Sequence, residues 1–149
     1  MDKVESHNSP LTINKQMFIE KLTKNGPVLD EMSPNHSLVT GDKVYVRVTI
    51  TTDRNMEYVH LKDMRATTFE PVSQLSGYTF SDGLWYYKNI TDTSTELFIR
   101  YLHKGTYVIE YPLFVTQSGD FTNGIATIQS MYAPEFGANS SGIRVSVGK

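Results

Sequence analysis

The stretch VYVRVTI, residues 44–50, decides the fold class. Its apolar residues stand at every second position, and they are Val44, Val46, Val48 and Ile50. The residues between them, Tyr45, Arg47 and Thr49, would occupy the opposite face. A period of two is typical of a β-strand with one face toward a core. Gly41-Asp42 supplies a turn just before the stretch. The sequence therefore predicts a half-buried strand here.

The same alternation recurs along the chain. In residues 96–101, Leu97, Ile99 and Tyr101 would share one face, and Glu96, Phe98 and Arg100 the other. Residues 107–111 and 143–147 repeat the pattern, and weaker candidates are residues 11–22, 58–63, 84–88 and 125–131. Residues 14–24 are the one window in which a helix competes, but they contain no cap and no stop signal.

Turn residues separate these runs. They are Asn25-Gly26-Pro27, Ser33-Pro34-Asn35, Ser76-Gly77, Ser81-Asp82-Gly83, Lys104-Gly105, Ser118-Gly119-Asp120 and Asn123-Gly124. Short strands with turns at about 8–12-residue spacing predict an all-β, antiparallel sandwich of the immunoglobulin/fibronectin-like, Greek-key kind. We expect one domain over residues 11–149. Residues 1–10, MDKVESHNSP, are polar and lack a signal peptide, and we expect a disordered tail or the edge of a domain.

A sharper motif begins at Leu102. The pattern Leu-x-x-Gly-x-Tyr, which ends at Gly105 and Tyr107, resembles the tyrosine corner of Greek-key sandwiches. In that motif the tyrosine hydroxyl bonds backbone a few residues upstream. An ordinary core tyrosine is the alternative interpretation.

Composition excludes several classes of function. Fourteen Lys and Arg against sixteen Asp and Glu give a net charge of −2, so no basic field favours nucleic acid. The longest apolar runs are strand-sized and predict no transmembrane segment. Cysteine is absent, which removes thiolate nucleophiles and cysteine metal ligands.

No arrangement of catalytic residues stands out. The four histidines, His7, His36, His60 and His103, are not at ligand spacing with one another. Glu57 and Asp63 flank His60, but residues three apart on a strand point to opposite faces. The serines of residues 137–142 lack the strand-to-helix context of a nucleophile elbow. We therefore predict a protein without catalytic activity, metal or cofactor.

Two aromatic features are candidate binding surfaces. Trp85-Tyr86-Tyr87 lies on a predicted strand, where alternation would put Tyr86 on one face and Trp85 with Tyr87 on the other. Exposed aromatics there could stack on sugars; core on one side and sheet cover on the other is the alternative interpretation. The second feature, MYAPEF, residues 131–136, ends a strand with Pro134. Its Met131-Tyr132 pair would suit a rigid loop that docks into a partner's pocket. A loop tucked into the core is an equally good interpretation.

Three segments resemble a known family. DRNMEYVHLKD (residues 53–63), KGTYVIEY (104–111) and GIATIQSMYAPEF (124–136) are similar to the carboxy-terminal, receptor-binding-type macroglobulin-like domain of bacterial alpha-2-macroglobulins. The resemblance covers about Thr40 to Val147. The family's full-length proteins are envelope-associated, multi-domain traps that entrap a protease after it cleaves a bait region. The resemblance thus implies a non-catalytic module of a protease inhibitor, located in the periplasm or on the cell surface.

The resemblance also implies partners and site residues. The partners would be sibling domains of the parent chain, with target proteases engaged by the whole molecule. In members with a thioester, the Met-Tyr loop covers that bond, which assigns this role to Met131 and Tyr132, supported by Pro134, Phe136, Gly105 and Tyr107. Family members often have cysteine where Ser130 stands. Where a parent lacks the thioester, Met131 and Tyr132 would be plain interdomain contacts. A carbohydrate-binding sandwich using Trp85, Tyr86 or Tyr87 remains the alternative.

Overall fold

The computed structural model describes residues 10–32 and 37–148, and within them the chain is built of β-strands. The strands in chain order are β1 (Leu11–Thr23), β2 (Gly26–Glu31), β3 (Ser37–Val39), β4 (Lys43–Thr52), β5 (Met56–Met64), β6 (Phe69–Pro71), β7 (Gly77–Ser81), β8 (Leu84–Ile90), β9 (Ser94–Leu102), β10 (Gly105–Val115), β11 (Gly119–Asn123), β12 (Ala126–Ser130), β13 (Gly137–Asn139) and β14 (Ile143–Gly148). In these two ranges no helix is long and apolar enough to cross a membrane.

The strands form three hydrogen-bonded sheets. One has the order β2-β1-β4-β10-β6, the second β13-β12-β5-β9-β8-β7, and the third β11-β14-β3. The predicted all-β sandwich with antiparallel sheets is confirmed. One pairing departs from it, because β14 runs parallel to β3 through Val147 and Leu38.

The apolar face of β4 is the centre of the core. Val44, Val46, Val48 and Ile50 are all at most 1% exposed, as the alternation predicts. The core cluster also takes Val59 and Leu61 from β5 and Val145 from β14, so all three sheets pack around one apolar interior.

All eight strands expected from the alternation are present, and residues 14–24 belong to strand β1 apart from Lys24. The helical alternative for that window is therefore wrong. The sequence missed six of the strands in the described ranges: β2, β3, β6, β7, β11 and β13. Four of these begin at a glycine, a residue that the sequence pattern predicts only as part of a turn or loop. Pairing with an existing strand, rather than local propensity, makes such segments extended.

The amino-terminal boundary of the domain, expected at residue 11, stays a prediction. Residues 1–9, which include His7, are outside the described residues, as are residues 33–36 with His36 and the Ser33-Pro34-Asn35 turn. Pro10, assigned to the tail by the sequence, is buried, and its carbonyl accepts a hydrogen bond from the Asp53 amide at 2.9 Å.

The tyrosine corner is present at the start of β10. The Tyr107 hydroxyl donates to the carbonyl of His103 at 2.9 Å, which joins the strand to the connection that precedes it. Gly105 has φ +147°, a conformation that side chains rarely adopt, and a Cβ there would lie 3.9 Å from the Tyr107 ring. The glycine thus lets the chain turn beneath the tyrosine.

A buried ion pair crosses the sandwich. Lys15 of β1 and Asp63 of β5 lie on different sheets, with Lys15 Nζ 2.5 Å from Asp63 Oδ1 and both side chains at most 1% exposed. Lys15 Nζ also donates to the carbonyls of Met64 (3.1 Å) and Gly124 (2.7 Å), and the Tyr111 hydroxyl donates to Asp63 Oδ2. Every proton of the ammonium group is therefore used.

Burial acts on both members of this pair. It lowers the pKa of Lys15 and raises the pKa of Asp63, while the charge of each partner opposes the shift of the other. The carbonyl of Gly124 reaches Lys15 because the backbone passes very close to β5. A Cβ at Gly124 would lie only 2.5 Å from the Cβ of Met64, so glycine is required for this approach.

We expect Lys15→Met to lower the free energy of unfolding by about 3–5 kcal/mol, because it leaves the Asp63 carboxylate buried without a cation. Lys15→Met combined with Asp63→Leu should cost much less than the sum of the two single changes. Urea unfolding of the four proteins measures the coupling. Lys21→Met is the matched control: Lys21 pairs with Asp30 at 3.3 Å with both side chains half exposed, and its loss should cost less than about 1 kcal/mol. Additive effects at Lys15 and Asp63 would contradict the coupling.

The Lys15→Met variant should also depend on pH in a defined direction. Without Lys15, burial still raises the pKa of Asp63 above the ordinary value of 3.8, and the charge of Arg65 opposes this shift. The folded variant then binds more protons than the unfolded chain, so its stability falls as pH rises above the unfolded pKa. The difference in free energy of unfolding between the variant and the unmodified chain should therefore shrink as pH falls from about 7 toward about 4. A deficit that stays constant over this range would contradict the assignment.

Removing the tyrosine-corner hydroxyl should destabilise the domain modestly. Tyr107→Phe deletes one hydrogen bond to the His103 carbonyl, which predicts a loss of about 0.5–1.5 kcal/mol in thermal or urea unfolding. Tyr78→Phe, at a tyrosine that is 81% exposed, should change stability little. Equal effects of the two substitutions would show that the corner contributes nothing specific.

Candidate functional site

The Met-Tyr segment forms the loop of a hairpin. It connects β12 to β13, which pair antiparallel through Gln129 and Gly137. Inside the loop, the Ser130 amide donates to the Phe136 carbonyl at 3.0 Å, and the Phe136 amide donates to the Ala133 carbonyl at 2.8 Å. The Ala133 amide is 3.3 Å from the hydroxyl oxygen of Ser130. These bonds give the short loop a defined shape.

Met131 and Tyr132 extend from this loop into solvent. Met131 is 56% exposed and Tyr132 is 74% exposed, so the alternative of a loop tucked into the core is wrong for these two side chains. Exposed apolar residues that stand together on an ordered loop are the usual form of a docking site.

The residues expected to support the loop differ in their roles. Phe136 is partly buried against the core, and the guanidinium of Arg54 lies 5.2 Å from its ring centre. Pro134 is exposed, and its carbonyl accepts from the Gln129 side chain at 3.2 Å. Gly105 and Tyr107 belong to the tyrosine corner and have no described contact with the loop. Phe136 therefore anchors the loop, whereas Pro134 lies on its surface.

Ser130 stands at the base of the loop. It is only 5% exposed, and its side-chain oxygen accepts from the backbone of the loop. A residue of this size fits the position, and its oxygen serves as an internal cap for the turn. Its role here is structural.

The sequence missed Tyr58 of β5, which contacts the loop from the neighbouring strand. Its carbonyl accepts a hydrogen bond from the Met131 amide at 2.9 Å. Its ring centre lies 4.9 Å from that of Tyr132, with the rings inclined at 58°. Tyr58 has φ 56°, which costs a non-glycine residue on the order of 1–3 kcal/mol. Nothing in the local sequence signals this conformation.

A second exposed surface lies on the outward face of the six-stranded sheet. Trp85 and Tyr87 are 64% and 38% exposed, whereas Tyr86 is buried in the core at 5%. Alternation on β8 therefore holds: Tyr86 is on the core side, and Trp85 and Tyr87 are the more accessible rings. Sugar stacking by these aromatics stays a prediction.

Aromatic residues continue from β8 onto the adjacent strands. Tyr78 of β7 faces Tyr87, and Tyr87 faces Phe98 of β9. The ring centres of Tyr78 and Tyr87 are 5.1 Å apart, in an edge-to-face arrangement. Together with Trp85, Tyr101, Arg100 and His103, these side chains line a groove of about 420 Å³. We call this surface the aromatic groove.

The remaining candidates for chemistry have structural partners. His60 stacks on Phe98 at 4.7 Å between ring centres, and burial lowers its pKa. Asp63 faces the core instead and pairs with Lys15. Ser140 is buried, and its hydroxyl accepts from the Ala126 amide at 2.8 Å. Within residues 10–32 and 37–148, no three His, Asp or Glu side chains lie close enough together to hold a metal ion.

Comparison with known proteins identifies the family. Residues 11–135 match the family described as the bacterial alpha-2-macroglobulin MG10 domain. A tyrosine-to-glycine variant of Salmonella alpha-2-macroglobulin superposes with a TM-score of 0.72 at 18% identity, covering 97% of this chain and 10% of that one. Native alpha-2-macroglobulin from E. coli superposes with a TM-score of 0.72 at 14% identity, covering 99% of this chain and 10% of that one.

A curated relative comes from a eukaryote. The circularly permutated Ras protein 2 of Dictyostelium discoideum is 25% identical over 141 residues, which is 95% of this chain and 4% of that protein. The chain thus spans 10% or less of the length of each of these three proteins.

The family match covers most of the chain, and the two bacterial structures agree with it in fold. The chain belongs to the bacterial alpha-2-macroglobulin MG10 domain family.

Proposed function

We propose that this chain is a non-catalytic module of a larger alpha-2-macroglobulin-like protease inhibitor of the bacterial envelope, and that it docks onto a sibling domain through Met131 and Tyr132. The exposure of these two side chains on an ordered loop carries the proposal. The hydrogen bonds of the loop reduce the entropy lost on docking, because the backbone is ordered before contact.

The docking partner in this proposal is a thioester-bearing domain of the parent chain. A thioester is hydrolysed when water attacks its carbonyl carbon and displaces the thiolate. A thioether and a phenol ring set over that bond exclude water while leaving the bond intact. Met131 and Tyr132 supply these two groups side by side. Inhibition of proteases would then require the whole parent molecule, with this module as one of its contacts.

The proposal predicts that Tyr132→Ala and Met131→Ala weaken binding to the parent's thioester-type domain. Central aromatic anchors contribute about 2 kcal/mol or more, so Tyr132→Ala should raise Kd by roughly 30-fold or more. Isothermal titration calorimetry with the purified partner domain measures the change. Leu22→Ala is the matched control, since Leu22 is 81% exposed on β1 and lies outside the loop. Unchanged binding of both loop variants would overturn the proposal.

Shielding can be separated from docking in the full parent molecule. A small amine attacks the thioester carbonyl, forms an amide and releases the cysteine thiolate. If Tyr132 covers the bond, Tyr132→Gly should accelerate thiol release by methylamine, followed with a thiol reagent. Acceleration by Leu22→Ala to the same extent would mean that the effect is general destabilisation.

A second candidate function is glycan binding, and the aromatic groove favours it. Trp85 and Tyr87 are exposed there beside Arg100, and flat aromatic faces stack on the apolar faces of sugars. The chain has a single tryptophan, so its fluorescence reports on this groove alone. Saturable quenching by a soluble polysaccharide, abolished by Tyr87→Ala, is the expected result for this function. Absence of quenching across a panel of neutral and acidic polysaccharides would exclude it.

A further inference from the structure

Tyr58 has an unusual backbone conformation for its position. It lies within β5, yet its φ of 56° belongs to the left-handed region, which aromatic residues rarely enter. In the described ranges, the other non-glycine residue with positive φ is Asp82, which stands in a tight turn before Gly83. A strained residue inside a strand persists only where its surroundings hold it there.

The conformation of Tyr58 changes the alternation of two strands. Ladder pairs exist between Glu57 and Tyr101 and between Val59 and Ile99, but the intervening position has none. The residues of β5 that face the core are therefore shifted by one position on one side of the gap relative to the other. Met56 is therefore buried as well as Val59. On β9 the same shift buries Leu102 and leaves Tyr101 51% exposed, so the predicted common face of Tyr101, Ile99 and Leu97 is wrong.

The loop of residues 131–136, which carries Met131 and Tyr132, is called the docking loop below. Tyr58 binds it with both its backbone and its side chain. The carbonyl accepts from the Met131 amide at 2.9 Å, and the ring packs on Tyr132. A regular strand would alternate without interruption and would not place Met56 and Val59 both in the core. The left-handed residue is the point at which β5 breaks this pattern, and it is also the residue that contacts the loop.

Arg100 also lies close to the Tyr58 ring. Its guanidinium carbon is 5.8 Å from the Tyr58 ring centre and 5.6 Å from that of Tyr101. No carboxylate lies within ion-pair distance of Arg100 in the part of the chain that the structure describes. The guanidinium therefore contacts aromatic rings, and Arg100, Tyr58 and Tyr132 form a continuous row of packed side chains.

We propose that Tyr58 is a positioning residue: its left-handed backbone and its ring hold Tyr132 in the orientation required for docking. This inference rests on the proposed function of the loop. It adds to that function Tyr58, which lies 74 positions before Tyr132 in the sequence. The backbone strain of Tyr58 is the energetic cost of ordering the contact before docking.

The test compares Tyr58→Gly with Tyr58→Phe. Glycine adopts φ 56° freely, so Tyr58→Gly keeps the backbone bond to Met131 and deletes only the ring. Its unfolding midpoint should be close to that of the unmodified chain, while its Kd for the parent's thioester-type domain rises roughly three- to tenfold, as expected for loss of one aromatic contact. Tyr58→Phe retains the ring and should bind within about twofold of the unmodified chain.

A measurement without the partner tests orientation directly. In the Tyr58→Gly variant, the NMR resonances of the Tyr132 ring should move to the averaged values of a free tyrosine. Tyr101→Ala is the matched control, because Tyr101 also contacts Arg100 but has no described contact with the loop. It should leave the Tyr132 resonances and the binding unchanged.

The outcomes distinguish the two proposals. Unchanged binding and unchanged Tyr132 resonances in Tyr58→Gly would overturn the positioning role. If Tyr132→Ala still weakens binding in that case, the docking function stands without it. If Tyr132→Ala binds like the unmodified chain, the docking function itself fails.

Discussion

The ion pair between Lys15 and Asp63 is the constraint on which the arrangement of the sheets depends. The two charges come from different sheets and lie in an interior built mostly of apolar side chains. Apolar contacts tolerate small displacements, because one methyl group can replace another at similar cost. A buried charge does not tolerate such displacements, because its desolvation penalty is offset only when its charged partner and its hydrogen-bonding groups are in place. The carbonyl of Gly124 and the hydroxyl of Tyr111 complete this set. Relative sliding of β1 and β5 would break several of these contacts at once.

Strand β5 connects this buried network to the protein surface. Near one end it carries Asp63 on its inner face, and near the other it carries Tyr58, which bonds the docking loop. Tyr132 therefore packs against the same strand that carries Asp63 of the ion pair. The loop itself adds short hydrogen bonds around Ser130 and Phe136. A rigid framework of this kind suits a contact made by two exposed side chains, because little further ordering is needed on docking.

The side chains considered as candidates for catalysis have structural partners. The candidate groups for catalysis, His60, Asp63 and Ser140, are engaged in stacking, an ion pair and a backbone bond respectively. Two exposed groups of apolar and aromatic side chains stand out on the described surface: the loop of residues 131–136 and the aromatic groove. Membership of the MG10 family agrees with a module that works as part of a much longer chain. In our proposal, the reactive bond belongs to a neighbouring domain, and this domain contributes its protection.

The sequence by itself determined the features that depend on neighbours in the chain. Alternation over residues 44–50 identified the core face of β4, and the spacing from Leu102 to Tyr107 identified a hydrogen bond that spans four residues. Alternation on β8 also separated Tyr86 from Trp85 and Tyr87. Only the tertiary structure decided contacts between distant residues. Lys15 stands in phase with Ile13 and Met17, and Asp63 in phase with Val59 and Leu61, so alternation places both on a core face. The two residues are 48 positions apart, however, and no local pattern pairs them. The left-handed conformation of Tyr58 and the exposure of Tyr101 arise where β5 pairs with β9 and also bonds the loop of residues 131–136. Periodicity shows which side chains can share a face, whereas sheet packing decides which faces meet and where a strand must break its own alternation.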